Sequence, residues 1–407
     1  MLQLGVFVAL VVCLIRPGVV PDPVGVGDQL SWSLLCFCAA APIVVYAFAD
    51  EQRLRTPLDW FLAAFLLLVI PSWVTSVDRQ QSLLAVIGLV GNVAVYYATV
   101  ATLGRRAVAG PVFLAILVAG IAILELIALE FHLELTLLTR PAVYDRPEGW
   151  GGYPELGLLA AILLAILIAV AMARQRWWQH EAALVLICVT LVEVALLYSR
   201  TAWIAVVGVI VAAIAVSLRS RQVWRLAIVG AIMLAIGGVL VWQNPTVRNF
   251  AANLVGIESQ VSGALASQRM DIWRRTARMI GDYPWSGVGP GNFARVYEPV
   301  YNPHLNPDGR RGGHAHNLWL HQAAELGLPG GIAYVALWMA VLVMAWRRAS
   351  GSLLQQATFL VLIAVAVRSL GDNMFFSLAG GSARLHTLTW MFFALASATR
   401  ATTEKSD

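Results

Sequence analysis

The sequence predicts an all-α polytopic membrane protein, and two observations carry that prediction. Of 407 residues, 59% are hydrophobic and only 13% charged, whereas a soluble domain carries about 25% charged residues. Apolar runs long enough, at roughly 1.5 Å per helical residue, to cross about 30 Å of hydrocarbon recur along nearly the whole chain. Together they exclude a soluble fold.

Reading the apolar runs between polar or Pro/Gly breaks gives twelve expected spans, at 2–19, 29–49, 57–77, 80–103, 109–130, 155–173, 181–198, 201–218, 224–242, 317–346, 352–372 and 384–400. The first run has no Lys or Arg before it and no small-x-small cleavage site, so it is expected to be a span and not a cleaved signal. Cys13, Cys36, Cys38 and Cys188 all fall in apolar stretches. They read as small packing residues, with no disulfide framework and no thiolate metal site.

The organisation follows: nine spans in 1–242, one long loop in 243–316, three spans in 317–400 and a tail at 401–407. The long loop exceeds a linker. Within it Leu265, Ile272, Trp273 and Ile280 recur near helical spacing, which predicts an amphipathic helix over Ser262–Ile280, stopped by Asp282, Tyr283 and Pro284. Gly287 to Gly291 reads as a turn.

Charge sets the orientation. Connections after even-numbered spans hold thirteen basic residues, among them Arg105, Arg106, Arg219, Arg347 and Arg348, against seven in the short connections on the other side. The positive-inside rule then places both termini and the tail in the cytoplasm and the long loop outside. All basic residues but Lys405 are arginine, and the outer loop holds eight of them. Codon bias and a need for a planar fork that grips phosphate are both open explanations.

His304, His314, His316 and His321 lie within 18 residues at the end of the loop and the start of span ten. Three explanations stand side by side: a metal site, a polar helix start at the water interface, or a general base, since imidazole titrates near neutrality. No carboxylate or thiolate stands at ligand spacing from His314 and His316, which disfavours the metal. Charge beside hydrocarbon is costly and usually functional. Arg16, Arg200 and Arg368 are expected at one outer membrane depth, with Asp372 four residues past Arg368 as a local ion-pair partner and Glu193 two turns below Arg200. Guanidinium groups beside a histidine at the outer leaflet fit a lipid-linked diphosphate. Nucleic acid fits poorly, because the basic residues are dispersed and outward-facing. A transporter of lipid or glycolipid remains a rival of a different class, although no paired broken helices stand in corresponding halves.

His314-Ala315-His316-Asn317, followed after Leu318 to Leu326 by Gly327-Leu328-Pro329-Gly330, resembles the His-Asn and Gly-x-x-Gly pattern of the O-antigen ligase and polymerase superfamily. Ser199-Arg200-Thr201 at a span start, and Arg269 with Trp273 ahead of Pro284 to Gly291, match in the expected order, so the resemblance covers about residues 185–346.

The resemblance implies a GT-C-like membrane glycosyltransferase of lipopolysaccharide biosynthesis, in a bacterial inner membrane with its active site facing the periplasm. It implies transfer of a glycan from undecaprenyl diphosphate to a sugar hydroxyl of lipid A-core, without a metal ion or other cofactor. A polymerase would share the donor and differ in acceptor. On this expectation His316 is the general base and Arg200 and Arg269 stabilise the departing diphosphate, in a single inverting displacement. His314, Asn317, Arg368, Arg16 and Arg274 are expected to contact substrate, with orientation of His316 an alternative role for His314 and helix capping an alternative role for Asn317. No Asp-x-Asp pair occurs in the outer loop to hold a divalent ion. Glu325 is expected to partner an arginine.

Overall fold

The computed structural model describes residues 36–41, 44–45, 54–103, 109–135, 153–173, 177–197, 199–220, 230, 260–302, 313–372 and 381–398. The spans expected at 2–19 and 224–242, most of that at 29–49, Arg16, His304 and the tail lie outside the described residues. Every regular element among the described residues is helical. In order these are α1 (Asp59–Val74), α2 (Arg79–Leu103), α3 (Ala109–Leu135), α4 (Tyr153–Met172), α5 (Trp177–Leu196), α6 (Arg200–Ser220), α7 (Gln260–Asp282), α8 (Phe293–Val296) with a π-helical turn following it (Tyr297–Tyr301), α9 (Leu318–Arg348), α10 (Leu353–Arg368) and α11 (Gly381–Ser397).

Among the described residues, four stretches are long and apolar enough to cross a membrane: Arg79–Thr102, Trp177–Val194, Thr201–Arg219 and Leu318–Arg348. The apolar parts of α1, α3, α4, α10 and α11 are shorter. The amphipathic helix expected over Ser262–Ile280 is α7, and Tyr283 and Pro284 follow its end as expected.

α4 is apolar around its whole circumference, and from Leu156 to Met172 nearly every side chain is buried, as such a helix requires. It packs against α10, α5, α6 and α3, while α9 packs on α1 and α11 on α2. The far end of this bundle is basic: Arg219 lies 5.6 Å over the Trp346 ring, and Arg348 donates to the Ala396 and Ala398 carbonyls at 2.8 Å each. There Thr56, Tyr96 and Ser397 also join α1, α2 and α11 through hydroxyl hydrogen bonds of 2.7 and 2.8 Å.

A second, smaller core stands at the opposite end, where Met279, Ile280, Val288, Phe293, Val296, Tyr297, Ala315 and Ala324 bury one another. It seats the loop between α7 and α9 on the tip between α1 and α2. Asn292 Nδ2 donates to Ser76 Oγ and Ser82 Oγ at 2.8 Å each, Ser82 Oγ donates to the Pro290 carbonyl at 2.8 Å, and Arg295 pairs with Asp78.

The span expected as one helix at 317–346 is broken, because Gly327 has φ 71° and ψ 175° within α9. The carbonyls orphaned by the break find partners in the loop: Ala324 O accepts from Val288 N–H, and Glu325 O accepts from Gly289 N–H and from Ser72 Oγ. Leu328 N–H, the first donor of the second half, reaches the Pro284 carbonyl at 2.8 Å. Pro329 is tolerated because a first helical turn leaves its N–H unused anyway. A Cβ on Gly327 would meet the Trp285 backbone at 2.5 Å. Gly327→Ala combines that clash with a conformation closed to residues bearing a Cβ. We expect it to destabilise the protein by about 1–3 kcal/mol, read as a lowered thermal midpoint in detergent; an unchanged midpoint would contradict the break.

Candidate active site

The site is assembled from helix ends that meet at the end of the bundle opposite Arg219 and Arg348. Ser199 precedes α6 and its Oγ accepts from Ala202 N–H at 3.4 Å, so Arg200 opens the helix. Asn317 caps α9: its Oδ1 accepts from Leu320 N–H at 3.0 Å, and its Nδ2 donates to the Leu370 carbonyl at 3.0 Å. Leu318 N–H also reaches the Ser369 carbonyl at 2.9 Å. The start of α9 is thereby fastened to the turn that follows α10. Both ends of the Asn317 amide are engaged in this joint.

That fastening brings His316 and Asp372 together across the chain. His316 Nδ1 stands 3.6 Å from Asp372 Oδ1, with the imidazole one third exposed and the carboxylate nearly buried. This is an ion-pair separation, slightly long for a hydrogen bond. Burial pushes the Asp372 carboxyl up, but the His316 imidazole and the Arg368 guanidinium outweigh it and hold the group down at about 2. Its charge therefore contributes stability above the unfolded value near 3.8, and that contribution is lost as pH falls through about 2.

Arg368 ends α10 and is buried at 1% exposure. A Cβ at Gly157 would lie 3.1 Å from its Nη1, so the start of α4 leaves just the space the guanidinium fills. Arg269, partly buried on α7, acts electrostatically on both Arg368 and His314. A Cβ on Gly371 would sit 2.8 Å from Thr201 Cγ2 and 3.8 Å from Arg269 Nη1, which puts the first turn of α6 and Arg269 beside Asp372. His314 is stacked at a ring-centroid distance of 3.8 Å on His316. Desolvation drives its imidazole down to about 3, and His316, His321 and Arg269 push the same way against Asp372.

The structure thus brings His314, His316, Arg269, Arg368 and the backbone of Arg200 to one place. Arg274 stands apart, exposed on α7 and paired with Asp271 at 3.3 Å. Glu325 partners a histidine and not the arginine expected: its Oε1 lies 3.3 Å from His321 Nε2 and accepts from Phe293 N–H at 3.2 Å. Glu193 is buried on α5.

The carboxylate that the sequence lacks at ligand spacing from His314 and His316 is supplied by folding. Ligand atoms of His314, His316 and Asp372 lie within 4.8 Å of one another. Two guanidinium groups, Arg269 and Arg368, act on the same trio, and like charge opposes a bound dication there. An anion suits the local field better: Arg269 and Arg368 favour phosphate oxygens, while His316 turns one nitrogen to Asp372 and leaves the other without a hydrogen bond among the described residues. The sequence marks Asp372 only as a local partner for Arg368; its meeting with His316, and Gly157 as the seat of Arg368, carry no local mark because those partners arrive from other helices.

No curated protein and no solved structure matches the chain. Residues 183–335, from α5 past the break in α9, match the family model described as O-antigen ligase. Arg200, Arg269, His314, His316 and Asn317 fall inside that stretch, and Arg368 and Asp372 beyond it. Over residues 183–335 the chain is therefore similar to the O-antigen ligase family.

Proposed function

We propose that the protein is an inverting, metal-independent O-antigen ligase with a GT-C-like bundle of about twelve spans. It acts at the periplasmic face of a bacterial inner membrane, moving a glycan from undecaprenyl diphosphate to a sugar hydroxyl of lipid A-core. The family match supports a glycosyltransferase of ligase or polymerase type. The observation that carries the rest is His316, with Nδ1 turned to the buried Asp372 carboxylate 3.6 Å away and guanidinium groups beside it.

In this mechanism the acceptor hydroxyl approaches the free Nε2 of His316. As its oxygen bonds to the anomeric carbon, the proton passes to Nε2 and the bond from that carbon to the phosphate oxygen breaks on the opposite face. Asp372 stabilises the imidazolium that forms, as a carboxylate does for a histidine base generally. The negative charge released on the diphosphate is taken up by Arg200 and Arg269, aided by Arg368. Fixed guanidinium groups do here what a divalent ion does elsewhere.

Reconstitution with undecaprenyl diphosphate-linked glycan and purified lipid A-core tests this directly. Joined product is expected, formed only when the core acceptor is present and at an unchanged rate in EDTA. Product built from the donor alone would identify a polymerase, and movement of donor without joining would identify a transporter. Activity lost in chelator and restored by a divalent ion would instead make His314, His316 and Asp372 metal ligands.

A further inference from the structure

We propose that His314 is a positioning residue, whose neutral imidazole holds the strained backbone of His316 and so aims the His316 ring. This rests on His316 being the base proposed above. Among the described residues His316 is the one residue other than glycine with positive φ, at 47°, a region sparsely populated by side chains bearing a Cβ. Such strain persists only where the surroundings over-determine it.

Two contacts do so. The His316 N–H donates to His314 Nδ1 at 3.2 Å, a side chain accepting from the amide two residues on. That is the geometry by which Asn and Asp form Asx-turns. Between the two histidines, Ala315 is fully buried in the small core beside Phe293, Val296 and Tyr297, so the turn cannot slide. With both ends fixed, the left-handed residue throws its imidazole back across His314, with ring centroids 3.8 Å apart, and toward Asp372.

An accepting Nδ1 requires the His314 ring proton to sit on Nε2. The same desolvation that keeps this imidazole uncharged preserves the acceptor. His314 thus acts through His316 and not on substrate.

The test compares His314→Asn, His314→Gln and His314→Ala. Asn places an oxygen where Nδ1 lay and can close the same turn, whereas the amide of Gln sits one atom farther out. Asn is expected to keep wild-type kcat, while Gln and Ala lose about tenfold in kcat with KM for the lipid-linked donor unchanged. The rate at which diethyl pyrocarbonate modifies His316, resolved by peptide mass spectrometry, reads the same geometry without substrate. It should match wild type in Asn and differ in Gln and Ala. Asn as impaired as Ala, a loss lying in KM, or one modification rate for all variants would overturn the proposal. If the wild-type protein transfers no glycan, the enzymatic reading falls, while the modification series still decides the role of His314.

Discussion

His316→Ala is expected to lower glycan transfer by about 10²–10⁴-fold, the range that a positioned general base contributes. Protein level and membrane insertion should stay at wild type. The reason lies in where the residue sits: its ring is one third exposed and outside any helix, while the cap of α9 belongs to Asn317 and the apolar anchor of the segment to Ala315. Removing the imidazole therefore takes away chemistry and little packing. Product formation from lipid-linked donor, normalised to protein in the membrane, measures it. Near-normal transfer would remove the base from the mechanism.

Arg269→Ala should cost about 10²–10³-fold in kcat, the loss seen when a donor aimed at developing negative charge is removed. Arg269→Lys should recover only part of it, since a single ammonium cannot grip two phosphate oxygens at once. Arg269 is the better test than Arg368. Arg368 is fully buried against the Gly157 turn of α4 and balances Asp372, so its removal strands a buried charge and threatens the fold itself. Arg269 is partly exposed on α7 and can be exchanged with less disturbance. Full activity in the Lys variant would show that charge alone, and not the planar fork, serves the leaving group. Arg200→Ala is expected to behave like Arg269→Ala.

Helix positions were legible wherever the signal was local. Runs expected at 57–77, 80–103 and 155–173 correspond to α1, α2 and α4, and the spacing of Leu265, Ile272, Trp273 and Ile280 marked α7. Hydrophobicity acts residue by residue against lipid, so it is written in the sequence in order. The break at Gly327 was not legible, because an interrupted α9 is stable only when the 284–289 loop returns to satisfy the freed carbonyls of Ala324 and Glu325. A run of apolar residues carries no record of that visitor.

The candidate site divides the same way. The chain alone determined a helical membrane protein, a histidine cluster before α9 and arginines at helix starts and on α7, since residue type and spacing suffice for these. Only the tertiary structure decided that Asp372 from the turn after α10 faces His316, that Glu325 answers His321, and that Gly157 makes room for Arg368. Those meetings depend on how helix ends align when the bundle packs. Alignment follows from the summed contacts of many side chains, which no short stretch of sequence contains.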